Sequence, residues 1–334
     1  MIQYSRKKEL SKMDTIHITP KDDLQNILSN ITRPTTIYLK KGVYSGKYVI
    51  AADNVKIVGE EREKTIITNA DYAKKPHSDG REYNTFRTFT VCVTGERVVI
   101  ENLSIVNSNT EPERVGQCVA LSVNAKLFHA DNVILQSTQD TLFTAPFPDD
   151  LIIRYSGLTD DPTYYDGFIP RAQLYMEGEA FHLFSDCRIS GTVDFIFGGA
   201  QALFENCELV SLKDKRGCGY VAAPSHSLKQ RYGYLFYKCR FTDGGAGKSS
   251  VYLARPWRDF GRCDFIDCVA DGHLNAQAFD KWNDTYRDKT ARFSYYNVSG
   301  CDFAPVSWAK KLDDRQANEI INDFTALKKE YFGE

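Results

Sequence analysis

The sequence predicts an all-β fold: a single-stranded parallel β-helix with short capping helices at its two termini. Three observations carry this prediction. Short segments alternate apolar and polar residues, one residue pattern recurs at intervals of about 20 to 32 residues, and little helical periodicity occurs between residues 45 and 300. We expect residues 1–334 to form one β-helix domain, with an N-terminal cap at about residues 1–35.

The strand segments are rich in Val, Ile, Phe and Tyr, as in VCVTG, CVALSV, YLFYKC and VYLA, and turn residues separate them. The lack of helical segments between them excludes parallel crossovers through helices. Their irregular spacing argues against a β-propeller. Strands that coil into a parallel β-helix satisfy both constraints, because long loops can leave from any turn of the coil.

The recurring pattern is an aromatic residue, two mostly polar residues, cysteine, a polar residue and an apolar residue. It occurs around Cys187, Cys207, Cys239 and Cys268. Segments 99–105 and 128–134 repeat it, and we interpret Asn102 and Asn132 as occupying the cysteine position there. The nine cysteines form no CxxC pair, so we expect a ladder of buried free thiols rather than a metal site.

Two segments have apolar residues at helical spacing. They are residues 20–31, with Leu24, Ile27, Leu28 and Ile31, and residues 313–332. We expect these helices to cover the open ends of the coil. A loop-like stretch at residues 144–173 interrupts the strand pattern, and a loop of that length in a compact domain is usually functional.

The composition indicates an ordinary globular protein. Of 334 residues, 42% are hydrophobic and 26% charged, and the net charge of −2 gives no reason to expect nucleic acid or an anionic membrane as partner. No long apolar run or secretory signal is evident in the printed sequence. We therefore expect a cytoplasmic monomer, and the free cysteines fit a reducing compartment. We expect no metal and no cofactor.

Several polar residues stand where the strand pattern predicts apolar ones. Asp194 lies within the apolar run VDFIF, and Asp140 ends a strand just before the long loop. The two are 54 residues apart, and removing a 30-residue loop leaves 24, about one turn of the coil. The two carboxylates can therefore be neighbours, so that like charge raises one pKa while a nearby arginine lowers the other.

Three further polar side chains belong to the same constellation: Gln117, Gln139 and Arg255, the last followed by Pro256 and Trp257. Alone, each has a plain structural explanation. A buried aspartate is commonly satisfied by hydrogen bonds, glutamines form ladders between stacked strands, and Arg255 with Trp257 fits a surface cation–π pair. Their coincidence in one coil favours a functional site.

The segments GQCVAL, STQDTLF, GTVDFIFGGAQALFENCEL and YLARPW resemble the pectin methylesterase family, bacterial type. Weaker similarity covers nearly the whole chain. The resemblance implies a right-handed parallel β-helix that hydrolyses the C6 methyl esters of galacturonate units in pectin or oligogalacturonides. It also implies that no cofactor is needed.

The resemblance assigns a role to each polar residue. Asp194 is similar to the nucleophile of the family, and Asp140 to the general acid that then serves as base. Gln117 and Gln139 match the amide donors that stabilise the oxyanion. Arg255 matches the guanidinium that holds the nucleophile in place and ionised.

The resemblance also implies a sugar-binding surface. Trp257 matches the stacking platform, and Phe143, Phe195 and Phe197 are expected to help line the cleft. The chain departs from the family in places. The stretch 144–173 is longer than in plant-type members, Trp282 is kept while Phe279 replaces its usual tryptophan partner, and segment 219–224 lacks a usual glutamine. These departures concern the sugar subsites.

Other functions fit parts of the sequence. A polygalacturonase would also use paired aspartates, but its only further hint is the triplet Asp271-Gly-His273. A pectate lyase would need an acidic cluster for calcium, which the sequence does not suggest. An esterase or thioesterase for another acyl group and a non-catalytic glycan-binding β-helix remain open. The expected compartment suggests imported, partly methylated oligogalacturonides as substrate.

Overall fold

The computed structural model describes residues 13–78, 80–156, 176 and 179–333. Its strands, in chain order, are β1 (Asp14–Ile18), β2 (Thr35–Leu39), β3 (Gly42–Ser45), β4 (Tyr48–Ile50), β5 (Val55–Gly59), β6 (Thr65–Asn69), β7 (Val91–Val93), β8 (Val98–Glu101), β9 (Ser104–Asn107), β10 (Leu121–Val123), β11 (Leu127–Asp131), β12 (Ile134–Gln136), β13 (Leu142–Thr144), β14 (Phe181–Ser185), β15 (Arg188–Gly191), β16 (Ile196–Gly198), β17 (Gln201–Glu205), β18 (Glu208–Leu212), β19 (Gly219–Pro224), β20 (Tyr234–Tyr237), β21 (Arg240–Gly244), β22 (Val251–Ala254), β23 (Arg262–Ile266), β24 (Val269–Ala270), β25 (Arg292–Tyr296) and β26 (Lys310–Lys311). The helices are α1 (Leu24–Ser29), α2 (Pro112–Val115), α3 (Asp149–Ser156) and α4 (Asp314–Phe332), and short 3₁₀ turns occur at Thr85–Arg87 and Arg287–Lys289.

The strands form three parallel sheets. The long sheet has the order β1-β2-β5-β8-β11-β14-β17-β20-β23-β25-β26, and the eight-stranded sheet has the order β24-β21-β18-β15-β12-β9-β6-β3. The seven-stranded sheet, called the site sheet below, has the order β22-β19-β16-β13-β10-β7-β4. Successive turns of the chain add one strand to each sheet, as β11, β12 and β13 do before β14, β15 and β16. The predicted parallel β-helix is confirmed.

Aromatic rings and thiols stack inside the coil, one per turn. Phe184, Phe204, Phe236 and Phe265 form a continuous stack with centroids 4.7–4.8 Å apart and planes within 11° of parallel. Three of the thiols donate to a phenylalanine carbonyl of the preceding turn, Cys207 to Phe184, Cys239 to Phe204 and Cys268 to Phe236, at 3.2–3.3 Å. All nine cysteines are free. The predicted cysteine ladder is confirmed.

The asparagines do not occupy the cysteine position. The register between β11 and β14 pairs Asp131 with Ser185, so Asn132 lies beside Asp186 and Val133 beside Cys187. Our alignment of Asn102 and Asn132 with the cysteines was therefore wrong by one residue. Both asparagines are at a corner of the coil with φ of 55° and 51°, a left-handed conformation that asparagine tolerates better than most residues. Their side chains also hydrogen-bond to each other at 2.9 Å.

The N-terminal helix begins later than predicted. Asp23 caps α1 by accepting a hydrogen bond from the Asn26 backbone at 3.0 Å, so the helix starts at Leu24 rather than residue 20. Leu24 and Leu28 are buried in the main core. The predicted cap at residues 1–35 also contains β1, which pairs with β2 as an ordinary strand of the long sheet. Residues 1–12 lie outside the described part of the chain.

The C-terminal helix α4 begins where the sequence predicts, with Asp313 and Gln316 forming a capping box. We expected it over the open end of the coil. It instead lies on the outward face of the long sheet, where its buried residues Ala317, Ile320 and Phe324 share a core with the outward side chains of that sheet, including Phe181, Leu183, Leu203 and Leu235. Those strands carry apolar residues on both faces, and the helix covers the outer one.

The predicted loop at residues 144–173 is partly helical. Residues Asp149–Ser156 form α3, which begins with two aspartates, as favoured at a helix N-terminus. The prediction of a loop is therefore wrong for these residues, while residues 157–173 lie outside the described part. Within the described residues, no helix is both long enough and apolar enough to cross a membrane.

The corrected alignment makes a prediction for two adjacent residues. We expect Asn132→Cys to lower the free energy of unfolding by about 2–4 kcal/mol, because cysteine is strained at positive φ and loses the hydrogen bonds to Asn102 and Arg62. Val133→Cys extends the thiol ladder and should cost about 1 kcal/mol or less. Urea unfolding measures the free energy of unfolding of both variants. Equal losses of stability would contradict the assignment of Asn132 to the corner and Val133 to the cysteine position.

Candidate active site

A cavity of about 360 Å³ opens on the outward side of the site sheet. It brings together the five polar residues that the sequence singled out, which are Gln117, Gln139, Asp140, Asp194 and Arg255. Phe197, Trp257 and Trp282 also line it. Residues far apart in the chain meet here because the parallel register stacks one turn of the coil on the next.

Asp140 and Asp194 occupy the same position on consecutive turns. The register pairs Leu142 of β13 with Ile196 of β16, and each aspartate stands two residues before its strand. The Asp140 backbone N–H donates to the Val193 carbonyl at 3.1 Å. Both residues have positive φ, 63° and 51°, so a strained corner turns each carboxylate out of the strand direction. The predicted juxtaposition of the two carboxylates is confirmed by this register.

Arg255 holds Asp194 through two parallel hydrogen bonds. Its Nε lies 2.8 Å from Asp194 Oδ1 and its Nη2 lies 2.6 Å from Oδ2. The two side chains are only 14% and 10% exposed, so water screens the pair little. The guanidinium is also sandwiched between the rings of Tyr220 and Trp282, at 3.8 and 3.9 Å from their centroids. These contacts fix the orientation of the Asp194 carboxylate.

The two carboxyl groups have unequal environments. Burial raises the pKa of Asp140 well above its ordinary value, and the negative charge of Asp194 raises it further. Burial also raises the pKa of Asp194, but the hydrogen bonds and positive charge of Arg255 oppose that rise. Asp194 is therefore the first of the two to ionise. At a pH between the two pKa values, the cavity therefore holds one carboxylate beside one protonated carboxylic acid.

The two glutamines are held by neighbouring turns. The Cys118 backbone N–H donates to the Gln139 carbonyl at 3.0 Å, which ties the segment after Gln117 to the segment before Asp140. The side-chain Oε1 of Gln139 accepts a hydrogen bond from Arg216 Nη1 at 3.0 Å. The Gln139 side chain lies beside Asp140 and lowers the pKa of that carboxyl, which opposes part of the rise caused by burial.

The predicted aromatic residues divide into three groups. Trp257 and Phe197 line the cavity and meet edge to face at 5.6 Å. Phe143 is fully buried beneath them and packs against Phe197 at 5.1 Å, so it supports the floor without forming its surface. Phe195 is buried in the main core of the coil, so its predicted place in the cleft is wrong. Its side chain points inward at the corner, where Asp194 points outward.

Two cavity residues that the sequence analysis missed lie on α3. They are Leu151 and Arg154. Arg258 also lines the cavity, and it holds the helix through Asp150, with Nε–Oδ1 and Nη2–Oδ2 distances of 2.7 Å. The sequence signal for Arg258 in the cavity was its position directly after Trp257. For α3, the long interruption of the strand pattern indicated a functional segment but not its helical form.

Phe86 and Arg216 were also missed. Phe86 lies on the 3₁₀ turn at Thr85–Arg87 and packs on Phe143 at 5.1 Å. Arg216 lies on the loop between β18 and β19. Phe279, which replaces a tryptophan usual in the family, is buried in the main core against Trp308 and Phe293, so it does not line the cavity.

A second cavity, of about 470 Å³, lies between the long sheet and α4. Two of its basic side chains are engaged by the protein itself: Arg292 donates to the backbone carbonyls of Ser227, Gln230 and Phe260, and Arg262 pairs with Asp264 at 3.0 Å. The two carboxylates that line it, Asp264 and Glu319, each form an ion pair with an arginine of the cavity. The smaller cavity is therefore the candidate active site.

The triplet that hinted at a polygalacturonase lies elsewhere. Asp271 pairs with Arg240 at 3.2 Å and accepts a hydrogen bond from the Asp243 backbone, so it closes a turn. His273 is buried and does not line either cavity. In the described part of the chain, no three His, Cys, Asp or Glu side chains are placed to bind one metal ion.

A family model described as Pectinesterase matches residues 11–147 and 171–328. The chain belongs to the pectinesterase family. Pectinesterase 31 from Arabidopsis thaliana is 28% identical over 312 residues, which cover 90% of this chain and 86% of that protein. Putative pectinesterase/pectinesterase inhibitor 43 from the same plant is 27% identical over 303 residues, or 86% of this chain. The chain spans only 38% of the length of that relative.

Solved pectinesterase-family structures share the fold. The pectin methylesterase PemA from Erwinia chrysanthemi superposes with a TM-score of 0.73 at 26% identity, over 92% of this chain and 94% of that one. A pectin methylesterase in complex with a hexasaccharide gives a TM-score of 0.71 at 26% identity, over 89% and 90% of the two chains. Carrot pectin methylesterase, at 20% identity and a TM-score of 0.72, is similar in fold. These structures confirm the right-handed parallel β-helix.

Because the two carboxyl groups have unequal environments, we expect replacing Asp140 and replacing Asp194 to change the stability of the fold in opposite directions. The folded pKa of Asp140 lies above its unfolded value of about 3.9, so its ionisation costs stability increasingly as pH rises through the interval between the two values. Asp140→Asn should therefore raise the melting temperature at pH 7, and the gain should shrink toward pH 4.

Asp194→Asn should lower the free energy of unfolding by about 3–5 kcal/mol, because Arg255 loses its buried partner.

Differential scanning fluorimetry between pH 4 and pH 8 compares the two variants with the native chain. Loss of stability in Asp140→Asn at neutral pH would contradict the raised pKa of Asp140.

Proposed function

We propose that the protein hydrolyses the C6 methyl esters of galacturonate units in partly methylated homogalacturonan or oligogalacturonides, releasing methanol. The observation that carries this proposal is the pair of unlike carboxyl groups, Asp194 and Asp140, side by side in one cavity. Membership of the pectinesterase family and similarity to a pectin methylesterase bound to a hexasaccharide support the substrate class.

In the first step Asp194 attacks the ester. A carboxylate oxygen of Asp194 forms a bond to the C6 carbonyl carbon, and the C–O bond to the methoxy group breaks. Asp140 gives its proton to the departing oxygen, so that methanol leaves as a neutral molecule. The product is an anhydride between Asp194 and the galacturonate carboxyl group.

In the second step water releases the acyl group. Asp140, now a carboxylate, takes a proton from a water molecule as that water attacks the C6 carbonyl carbon. The bond to Asp194 breaks, which frees the galacturonate carboxyl group and restores the Asp194 carboxylate. Asp140 ends protonated, so the site is ready for the next ester.

Gln117 and Gln139 supply neutral donors to the oxygen that becomes negative in both steps. Amide N–H groups stabilise an oxyanion without adding a full charge that would also lower the reactivity of Asp194. Arg255 orients Asp194 and keeps it the more acidic of the two carboxyl groups. Its contacts with Tyr220 and Trp282 hold the guanidinium in place during the reaction.

The walls of the cavity suit a sugar chain. Trp257 presents aromatic surface next to the carboxyl pair and packs edge to face on the buried Phe197, and aromatic faces pack well against the C–H faces of pyranose rings. Arg258 and Arg154 line the α3 side of the cavity, where guanidinium groups can donate hydrogen bonds to the free carboxylates that such a chain carries between its methyl esters. The free thiols motivate a finer proposal: a monomer that acts on oligogalacturonides in a reducing compartment.

Methanol release tests the proposed function. The native chain should release methanol from methylated oligogalacturonides, Asp194→Asn should fall to the detection limit, and Asp140→Asn should lose about 10²–10⁴-fold in kcat. Asp186→Asn is a matched control, because Asp186 has the same corner conformation with φ of 53° but is exposed and outside the cavity.

Polymeric pectin is assayed in parallel, since the finer proposal expects faster release from oligomers. If the native chain releases no methanol from either substrate, the proposed function is wrong. Full activity in Asp194→Asn would overturn the assignment of the nucleophile.

A further inference from the structure

We propose that Arg216 is a positioning residue, which turns the side-chain amide of Gln139 so that its NH₂ group faces the reacting ester. This inference rests on the proposed function, because it concerns the donor that stabilises the oxyanion. Arg216 contributes no atom to the bonds that form or break. It acts through Gln139.

A glutamine amide has two unlike ends. The NH₂ end donates hydrogen bonds and the oxygen accepts them, and rotation about the last side-chain torsion exchanges the two at little cost. Only the NH₂ end stabilises an oxyanion. An unrestrained Gln139 would therefore present its oxygen to the ester in part of the population, and that orientation repels the developing charge.

The contact with Arg216 removes this ambiguity. Arg216 Nη1 lies 3.0 Å from Gln139 Oε1. A guanidinium only donates, so the amide end that faces it must be the oxygen. The reverse orientation would place an NH₂ group against a guanidinium N–H. The NH₂ end of Gln139 therefore points the other way, toward Asp140 and the cavity.

Arg216 is itself held on a rigid support. Asp214 accepts hydrogen bonds from Arg216 Nε at 2.8 Å, from Nη2 at 2.6 Å and from the Arg216 backbone N–H at 2.8 Å. The Asp214 side chain is 2% exposed and that of Arg216 is 42% exposed, so a buried carboxylate anchors a guanidinium at the cavity edge. The fork leaves Nη1 aimed at Gln139.

A second contact fixes the same loop to the helix that precedes the other glutamine. Lys215 forms an ion pair with Glu113 at 2.7 Å, and Glu113 belongs to α2, which ends just before Gln117. The loop from Lys213 to Cys218 therefore contacts the segments that carry both glutamines. The charge of Arg216 also lowers the pKa of Asp140 and of Asp194, an effect separate from the hydrogen bond to Gln139.

A double-mutant cycle on kcat for methanol release separates these effects. We expect Arg216→Ala to lower kcat about 10- to 100-fold with little change in KM. Gln139→Ala should lower kcat about 10²–10³-fold, and adding the charge-retaining Arg216→Lys to Gln139→Ala should cost nothing further. Arg216→Lys keeps the charge but loses the fork, so it should show most of the loss of Arg216→Ala with an unshifted pH profile.

Lys213→Ala is the matched control, since Lys213 is an exposed cation on the same loop and does not line the cavity. Its kcat should equal that of the native chain. Additive losses in the double variant, a change confined to KM, or native kcat in Arg216→Lys would each overturn the positioning role.

A readout without turnover keeps this inference separate from the proposed function. In ¹⁵N-labelled protein, the side-chain NH₂ signal of Gln139, identified by its loss in Gln139→Ala, should be rigid in the native chain and averaged in Arg216→Ala. A Gln139 amide that stays equally rigid without Arg216 would overturn the inference even in an active enzyme. An ordered amide in a chain that releases no methanol would leave the positioning role standing and disprove only the proposed function.

Discussion

The bidentate ion pair between Arg255 and Asp194 is the contact on which the chemistry of the cleft depends. Two buried aspartates side by side would normally share one proton in an undefined way, because burial raises both pKa values. Arg255 breaks that symmetry by bonding to one of them alone. The stacking rings of Tyr220 and Trp282 hold the guanidinium, so the asymmetry is built into the folded chain before any substrate binds.

The coil supplies the positions that the ion pair needs. Parallel register places Asp140 and Asp194 at equivalent corners of consecutive turns, and the turns that follow carry Tyr220 and then Arg255. The continuous stack of phenylalanines and the thiol ladder inside the coil resist a change of register, because a slip of one residue would bury the carboxylates in the core. Interior packing, which contacts no substrate, thereby sets the geometry of the site.

Much of this arrangement can be predicted from the sequence, and the failures have physical causes. The spacing of the cysteines predicts the stack, and subtracting one loop predicts the pairing of Asp140 with Asp194. The residue pattern does not show where a strand ends and a corner begins. For this reason Asn132, rather than Val133, was aligned with the cysteines, and Phe195 was placed outside the core. Arg216 carries no signal in the sequence, since its partner Gln139 lies 77 residues away in the chain.

The central claim is that Asp140 is the carboxyl group that stays protonated while Asp194 is ionised. Carboxyl ¹³C NMR titration of aspartate-labelled protein tests it directly, with Asp140→Asn and Asp194→Asn to assign the two signals. The account predicts a carboxyl group with a strongly raised pKa that disappears in Asp140→Asn, next to a second group that ionises at lower pH. A strongly raised signal that survives in Asp140→Asn and disappears in Asp194→Asn would contradict it.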